Sequence, residues 1–128
     1  EIVKTATPVD LTCVEGLWWL KNRCTCSKVF GCITKKCTVP KVTYTYKIKN
    51  LCDPVKNVKV VDVINGNPVT IATFSYLGTG QEKIIKKTRC VCNTTINTAT
   101  VKGYLVSDPV TFCEDSSDTI TVTVTKPW

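Results

Sequence analysis

Hydrophobic and polar residues alternate strictly along Val42–Lys49. Val42, Tyr44, Tyr46 and Ile48 occupy every second position, and threonine or lysine fills the positions between them. Because successive side chains of an extended strand point to opposite faces, this period of two separates an apolar face from a polar one. The segment is therefore predicted to be a half-buried antiparallel strand.

The C-terminal segment Asp118–Thr125 has the same pattern. Ile120, Val122 and Val124 share one face, and four threonines share the other, which is typical of a strand with one face in water. Turn-forming residues such as Asn65–Gly66 divide the rest of the chain into similar runs. Further strands are predicted near residues 2–9, 55–64, 69–76, 81–92 and 95–106.

About seven short strands separated by regular turns predict an all-β fold, an antiparallel β-sandwich with immunoglobulin-like topology. The composition agrees, because 21 threonines, 18 valines and 9 isoleucines stand against no methionine. At 128 residues the chain is expected to form one domain, 1–128. Residues 13–37 interrupt the alternation and hold five of the nine cysteines, so we expect a disulfide-rich insertion tied down by its own bridges.

Nine cysteines in so short a chain indicate an oxidising, extracellular location. The odd number requires at least one free thiol, a bond to another copy or a bond to a segment outside this chain, and the pairing cannot be deduced from sequence. If neighbouring subunits are linked, Cys13, Cys24 or Cys26 are the favoured linkers. Cys90 and Cys92 are two residues apart and face the same side. The candidate disulfide residues are Cys13, Cys24, Cys26, Cys32, Cys37, Cys52, Cys90, Cys92 and Cys113.

Zinc binding is an alternative use of some of these thiols, since four thiolates can surround the ion tetrahedrally. The candidate ligands would be Cys24, Cys26, Cys32 and Cys37. Their spacing differs from the common Cys-x2-Cys knuckle, and the chain has no histidine. We therefore predict no metal and no other cofactor.

Several function classes are disfavoured by residue content. Without histidine, the usual Ser–His or Cys–His activation of a nucleophile is missing, so we expect no enzyme. The net charge of +7 comes from scattered lysines and arginines without interleaved aromatics, which favours a solvated sheet face over nucleic-acid binding. The longest apolar run, Gly16–Leu20, is too short for a membrane span.

Two smaller features suggest further chemistry. Trp18 and Trp19 would point to opposite faces of an extended segment, and they form a candidate interface or sugar-stacking platform. A covalent Lys–Asn crosslink is another option, with Lys4 joined to Asn97 and assisted by Asp62.

The order of several short runs resembles a known family. The chain reads VTYTYKIKN from Val42, VKNVKVVD from Val55, GQE from Gly80, NTATV from Asn97 and DTITVTV from Asp118. This order is similar to the repeat domain numbered eleven among bacterial domains of unknown function, which has a TYT strand, a VTVTD strand, a Gly-Glu turn, an NTATV strand and a closing TVTV strand. The resemblance covers most of residues 2–126 and excludes the cysteine-rich stretch.

The resemblance implies an Ig-like sandwich with a structural role and no catalytic residues. Members of this family resemble surface stalks, adhesive repeats and cysteine-rich envelope proteins, and similar domains occur in clostridial spore appendages. The expected function is therefore that of a structural subunit of a bacterial surface layer, fibre or spore appendage, with copies of itself as partners. The alternative is an adhesin-like module that binds a surface polymer or host ligand.

Overall fold

The computed structural model describes residues 1–17 and 19–128. Within these residues the chain forms eleven β-strands and no helix, so none of its elements is a helix long and apolar enough to cross a membrane. The strands are β1 (Ile2–Thr7), β2 (Asp10–Thr12), β3 (Arg23–Phe30), β4 (Ile33–Pro40), β5 (Val42–Lys49), β6 (Val55–Ile64), β7 (Asn67–Leu77), β8 (Glu82–Arg89), β9 (Thr95–Leu105), β10 (Phe112–Ser116) and β11 (Ile120–Thr125).

The predicted all-β class is confirmed, and the seven predicted strands correspond to β1, β5 to β9 and β11. The structure adds four strands that the sequence pattern did not indicate: β2, β3, β4 and β10. Strand β3 buries two alternate residues near one end and β4 buries three consecutive residues near one end, and the rest of each strand is exposed on both faces. Without a continuous apolar face, the period of two is not visible in their sequence.

The chain folds into two compact units, each built from segments far apart in sequence. Unit 1 contains Glu1–Thr5, Thr45–Lys86 and Ile96–Ile120, and unit 2 contains Ala6–Tyr44, Lys87–Thr95 and Thr121–Trp128. The single domain over residues 1–128 stays a prediction.

Unit 1 holds two sheets. In one, β9 lies between β10 and β6, and β7 continues beyond β6; the other contains the unit 1 portions of β1, β5 and β8, with β5 in the middle. Strands β6 and β7 form a hairpin at Asn65 and Gly66, which have φ angles of 48° and 83°. Positive φ at both central residues matches a type I′ turn and the predicted turn position. The core contains Ile2, Tyr46, Ile48, Val55, Val58, Val60, Ile71, Leu77, Ala99 and Val101.

Unit 2 contains a strand pair that departs from the predicted antiparallel pattern. Strand β2 pairs in parallel with β11, with Asp10 opposite Thr123 and Thr12 opposite Thr125. Strands β3 and β4 form an antiparallel hairpin that occupies much of the predicted insertion. The buried apolar residues are Leu11, Cys13, Cys24, Cys26, Cys37, Val39, Val42, Tyr44, Val91 and Val122.

Candidate functional site

Two consecutive disulfides join β3 to the segment that follows β8. Cys24 bonds to Cys90 and Cys26 bonds to Cys92, with Cα–Cα distances of 5.7 and 5.5 Å. Cys24 and Cys26 share the buried face of β3 because they are two residues apart in a strand. Their partners have the same spacing, so the expectation that Cys90 and Cys92 face one partner surface is confirmed.

A third disulfide closes the predicted insertion. Cys13 and Cys37 are buried with a Cα–Cα distance of 5.3 Å. Beside them, Val14 and Thr38 exchange backbone hydrogen bonds of 2.9 and 2.6 Å. The insertion therefore has one bridge of its own, and its other two bridges reach residues outside it. The expectation that its own bridges alone tie it down is corrected accordingly.

The fourth disulfide, Cys52–Cys113, lies in unit 1 and joins the segment after β5 to β10. Asn50 organises this segment, because its Nδ2 donates to the carbonyl oxygens of Asp53 and Leu77 at 3.1 and 3.0 Å. The backbone nitrogen of Cys52 donates to Oδ1 of Asn50 at 2.9 Å. Three side-chain hydrogen bonds thus fix the loop that presents Cys52.

Cys32 is the cysteine without a disulfide partner in the chain. It lies in the turn between β3 and β4, where Gly31 has a φ of 61°. The flanking residues Phe30 and Ile33 face each other across the hairpin, and both are exposed large hydrophobic residues. The remaining thiol is thus accessible and sits beside apolar surface.

This pairing corrects one expectation and disfavours the zinc alternative. Cys13, Cys24 and Cys26 were the favoured links between subunits, but each is bonded within the chain. The proposed zinc set of Cys24, Cys26, Cys32 and Cys37 is also divided, because three of its members belong to three different disulfides. A thiol in a disulfide provides no thiolate ligand.

A buried polar cluster lies between the two sheets of unit 1. The Nζ atom of Lys4 donates to both carboxylate oxygens of Asp62, at 2.9 and 2.7 Å, and to Oδ1 of Asn97. The hydroxyl of Tyr46 donates to Oδ2 of Asp62 at 2.5 Å. Nζ also lies 5.5 Å from the centroid of the Tyr46 ring. The sequence-predicted trio of Lys4, Asp62 and Asn97 is therefore brought together.

Strand periodicity explains why these polar side chains point inward. Lys4 follows Ile2 on the buried face of β1, and Asp62 follows Val60 on the buried face of β6. Ile64 of β6 is opposite Asn97 of β9, so Asp62 and Asn97 are diagonal neighbours on the same face. The three residues occupy positions where the alternation would place apolar side chains.

The candidate aromatic interface is described only in part. Trp18 lies outside the described residues. Trp19 is 70% exposed, within the turn that precedes β3. The lysines at 47, 49, 86 and 87 are also exposed, as expected for a solvated face.

Comparison of this chain with protein-family models, curated proteins and solved structures found no match.

Proposed function

We propose that this protein is a structural subunit of an extracellular bacterial surface layer, fibre or spore appendage. The observation that carries the proposal is the set of four disulfides, each joining segments 24 to 66 residues apart in the chain. Such crosslinks persist in oxidising compartments and stabilise the folded state mainly by restricting the unfolded chain. The resemblance to bacterial surface-repeat domains supports the same role.

Strand β7 is the surface that best suits association between copies. It ends the sheet in which it lies and is eleven residues long, with no charged side chain. Strand β8 also ends its sheet, but five of its eight residues are charged. Charges on an edge strand oppose pairing with another chain, and a long uncharged edge favours it. Copies of this chain would associate by backbone hydrogen bonding between their β7 edges.

Cys32 supplies a second, covalent contact between copies. One exposed thiol per chain links chains in pairs, since each intermolecular disulfide uses one cysteine from each copy. Covalent pairs can extend into a fibre only through non-covalent contacts, and the β7 edge would provide them. The expected assembly is therefore a polymer in which reductant-sensitive and reductant-insensitive contacts alternate.

Sedimentation and electron microscopy of the oxidised full chain test this function. We expect concentration-dependent assemblies in the wild type, and pairs on a non-reducing gel that disappear with Cys32→Ser. Thr73→Lys on the β7 edge should reduce assembly, whereas the control Ile96→Lys, which adds the same charge to an exposed position of β9, should not. A wild type that stays monomeric at all concentrations, with no filaments, contradicts the proposal.

The exposed indole of Trp19 favours a second candidate, an adhesin-like module that binds a surface polymer or host ligand. Exposed aromatic rings stack on sugars and anchor interfaces. A Trp18→Ala, Trp19→Ala double variant should then lose retention on a polysaccharide column such as immobilised peptidoglycan. The control Phe112→Ala removes another exposed ring, 51% exposed in unit 1, and should be retained. Equal retention of all three proteins contradicts this function.

A further inference from the structure

The Lys4 amine and the Asn97 carboxamide meet in a place closed to solvent. The side chains of Lys4 and Asp62 are 0% and 1% exposed, and Asn97 is also buried. Nζ of Lys4 donates to the Asn97 side-chain oxygen, so the nucleophilic nitrogen lies next to the carboxamide group. Fixing two reacting groups in contact removes the entropic cost of bringing them together.

Asp62 is placed to move a proton between these groups. Both of its carboxylate oxygens lie within hydrogen-bond distance of Nζ, and Oδ2 also accepts from the Tyr46 hydroxyl. An ammonium group is not a nucleophile until it loses a proton, and a carboxylate in direct contact can accept that proton. Tyr46 is a positioning residue, because its hydrogen bond holds the carboxylate against Nζ.

From this geometry we propose that Lys4 and Asn97 become joined by an intramolecular isopeptide bond, with Asp62 as the proton carrier. Nζ of Lys4 gives one proton to Asp62 and attacks Cγ of Asn97, and the Nζ–Cγ bond forms. A second proton passes from Nζ through Asp62 to Nδ2 of Asn97. The Cγ–Nδ2 bond then breaks, ammonia leaves, and a secondary amide remains. The step needs no oxidant, reductant or cofactor.

The reaction also removes a costly arrangement from the core. A buried ammonium and carboxylate lose most of their hydration, and their mutual attraction offsets this loss only in part. After the reaction Nζ is an uncharged amide and Asp62 carries the proton it accepted, so both buried charges are gone. The product would tie β1 to β9 within unit 1 in addition to the Cys52–Cys113 disulfide.

Mass spectrometry of the reduced, denatured full chain tests the bond directly. The wild type should weigh less than its sequence by the mass of one ammonia. Trypsin does not cleave after an acylated lysine, so residues 1–21 should appear covalently joined to residues 90–102. Lys4→Met and Asn97→Ala should each restore the full mass and separate the two peptides.

Two further variants test the role of Asp62. Asp62→Asn keeps the size of the side chain but cannot accept the proton. The variant protein should therefore have its full sequence mass, without loss of ammonia, while its circular dichroism spectrum matches that of the wild type. Glu82→Gln changes a carboxylate in the exposed Lys47–Glu82 ion pair and should leave the crosslink intact. A crosslink formed to the same extent in Asp62→Asn removes Asp62 from the reaction.

The wild-type result decides the proposal even where a variant fails to fold. Full sequence mass with cleavage after Lys4 overturns it. Loss of ammonia at Asn65–Gly66, where a succinimide would form, overturns it equally if Lys4 is still cleaved. Either outcome leaves the four disulfides unchanged, so the proposed structural function is tested separately.

Discussion

Lys4 and Asp62 form an ion pair from which solvent is excluded: Nζ lies 2.7 Å from Oδ2, and neither side chain is more than 1% exposed. The pair connects β1 of one sheet to β6 of the other in unit 1. Burying such a pair has a desolvation cost that the attraction between the two charges offsets only in part. The presence of this pair in the core therefore calls for a structural or chemical explanation.

Removal of one partner of this pair should be strongly destabilising. Asp62→Ala leaves the Lys4 ammonium buried without its carboxylate, and we expect a loss of about 3 kcal/mol or more in the free energy of unfolding. Glu82→Ala breaks the exposed Lys47–Glu82 pair, whose groups are 3.6 Å apart, and should cost less than about 1 kcal/mol. Urea unfolding followed by circular dichroism measures both, and equal losses would contradict the account.

Gly103 of β9 leaves no room for a side chain. A Cβ atom there would lie 3.0 Å from Cγ2 of Val55 and 3.1 Å from Cγ2 of Val58. Gly103→Ala should therefore overpack the unit 1 core and cost about 1–3 kcal/mol. Gly78→Ala is the matched control, because its Cβ would meet its nearest atom at an ordinary 3.5 Å. A similar melting temperature for the two variants would show that β6 and β9 are less closely packed than described.

The paired disulfides between β3 and the segment after β8 should dominate the stability of unit 2. The double variant Cys26→Ala, Cys92→Ala opens a crosslink between residues 66 apart, and a loss of about 2–5 kcal/mol is expected. Cys32→Ala removes a cysteine without a partner and should leave the melting temperature unchanged. Calorimetry of the wild type, the double variant and Cys32→Ala measures the difference. A double variant as stable as Cys32→Ala would show that the Cys26–Cys92 disulfide does not stabilise the fold.

Strand periodicity explains which parts of the fold could be predicted from sequence. The sequence predicts a strand over Val55–Ile64, the bounds that β6 has, because its buried residues alternate from Val58 to Asp62 and a turn follows. The hairpin of β3 and β4 was missed because most of its side chains are exposed on both faces. The parallel pairing of β2 with β11 was also missed, since three residues are too few for a periodic signal.

Part of the candidate site could be predicted from the sequence. The sequence predicts a reactive trio of Lys4, Asp62 and Asn97, and each is a polar residue at an inward position of a strand. The disulfide pairing could not be predicted from the sequence, because it depends on which strands lie side by side. Cys26 pairs with Cys92 only because β3 lies beside the segment after β8, and no local feature of either segment specifies that neighbour.

Thiol titration should find one accessible sulfur per chain. Cys32 is exposed and unpaired, while the other eight cysteines are in disulfides. A chromogenic thiol reagent added to freshly isolated monomer, without denaturant, should therefore react once, and with Cys32→Ser it should not react. Persistent reaction of the Cys32→Ser variant would show that at least one disulfide is open.

Disulfide mapping of the unreduced protein, alkylated on isolation and digested, is the most direct test of a covalently crosslinked extracellular scaffold. We predict the pairs Cys13–Cys37, Cys24–Cys90, Cys26–Cys92 and Cys52–Cys113 within each chain. Cys32 should carry the alkyl group in the monomer fraction and be joined to Cys32 of a second copy in the covalent pairs. Alkylation of most of the nine cysteines would contradict this prediction.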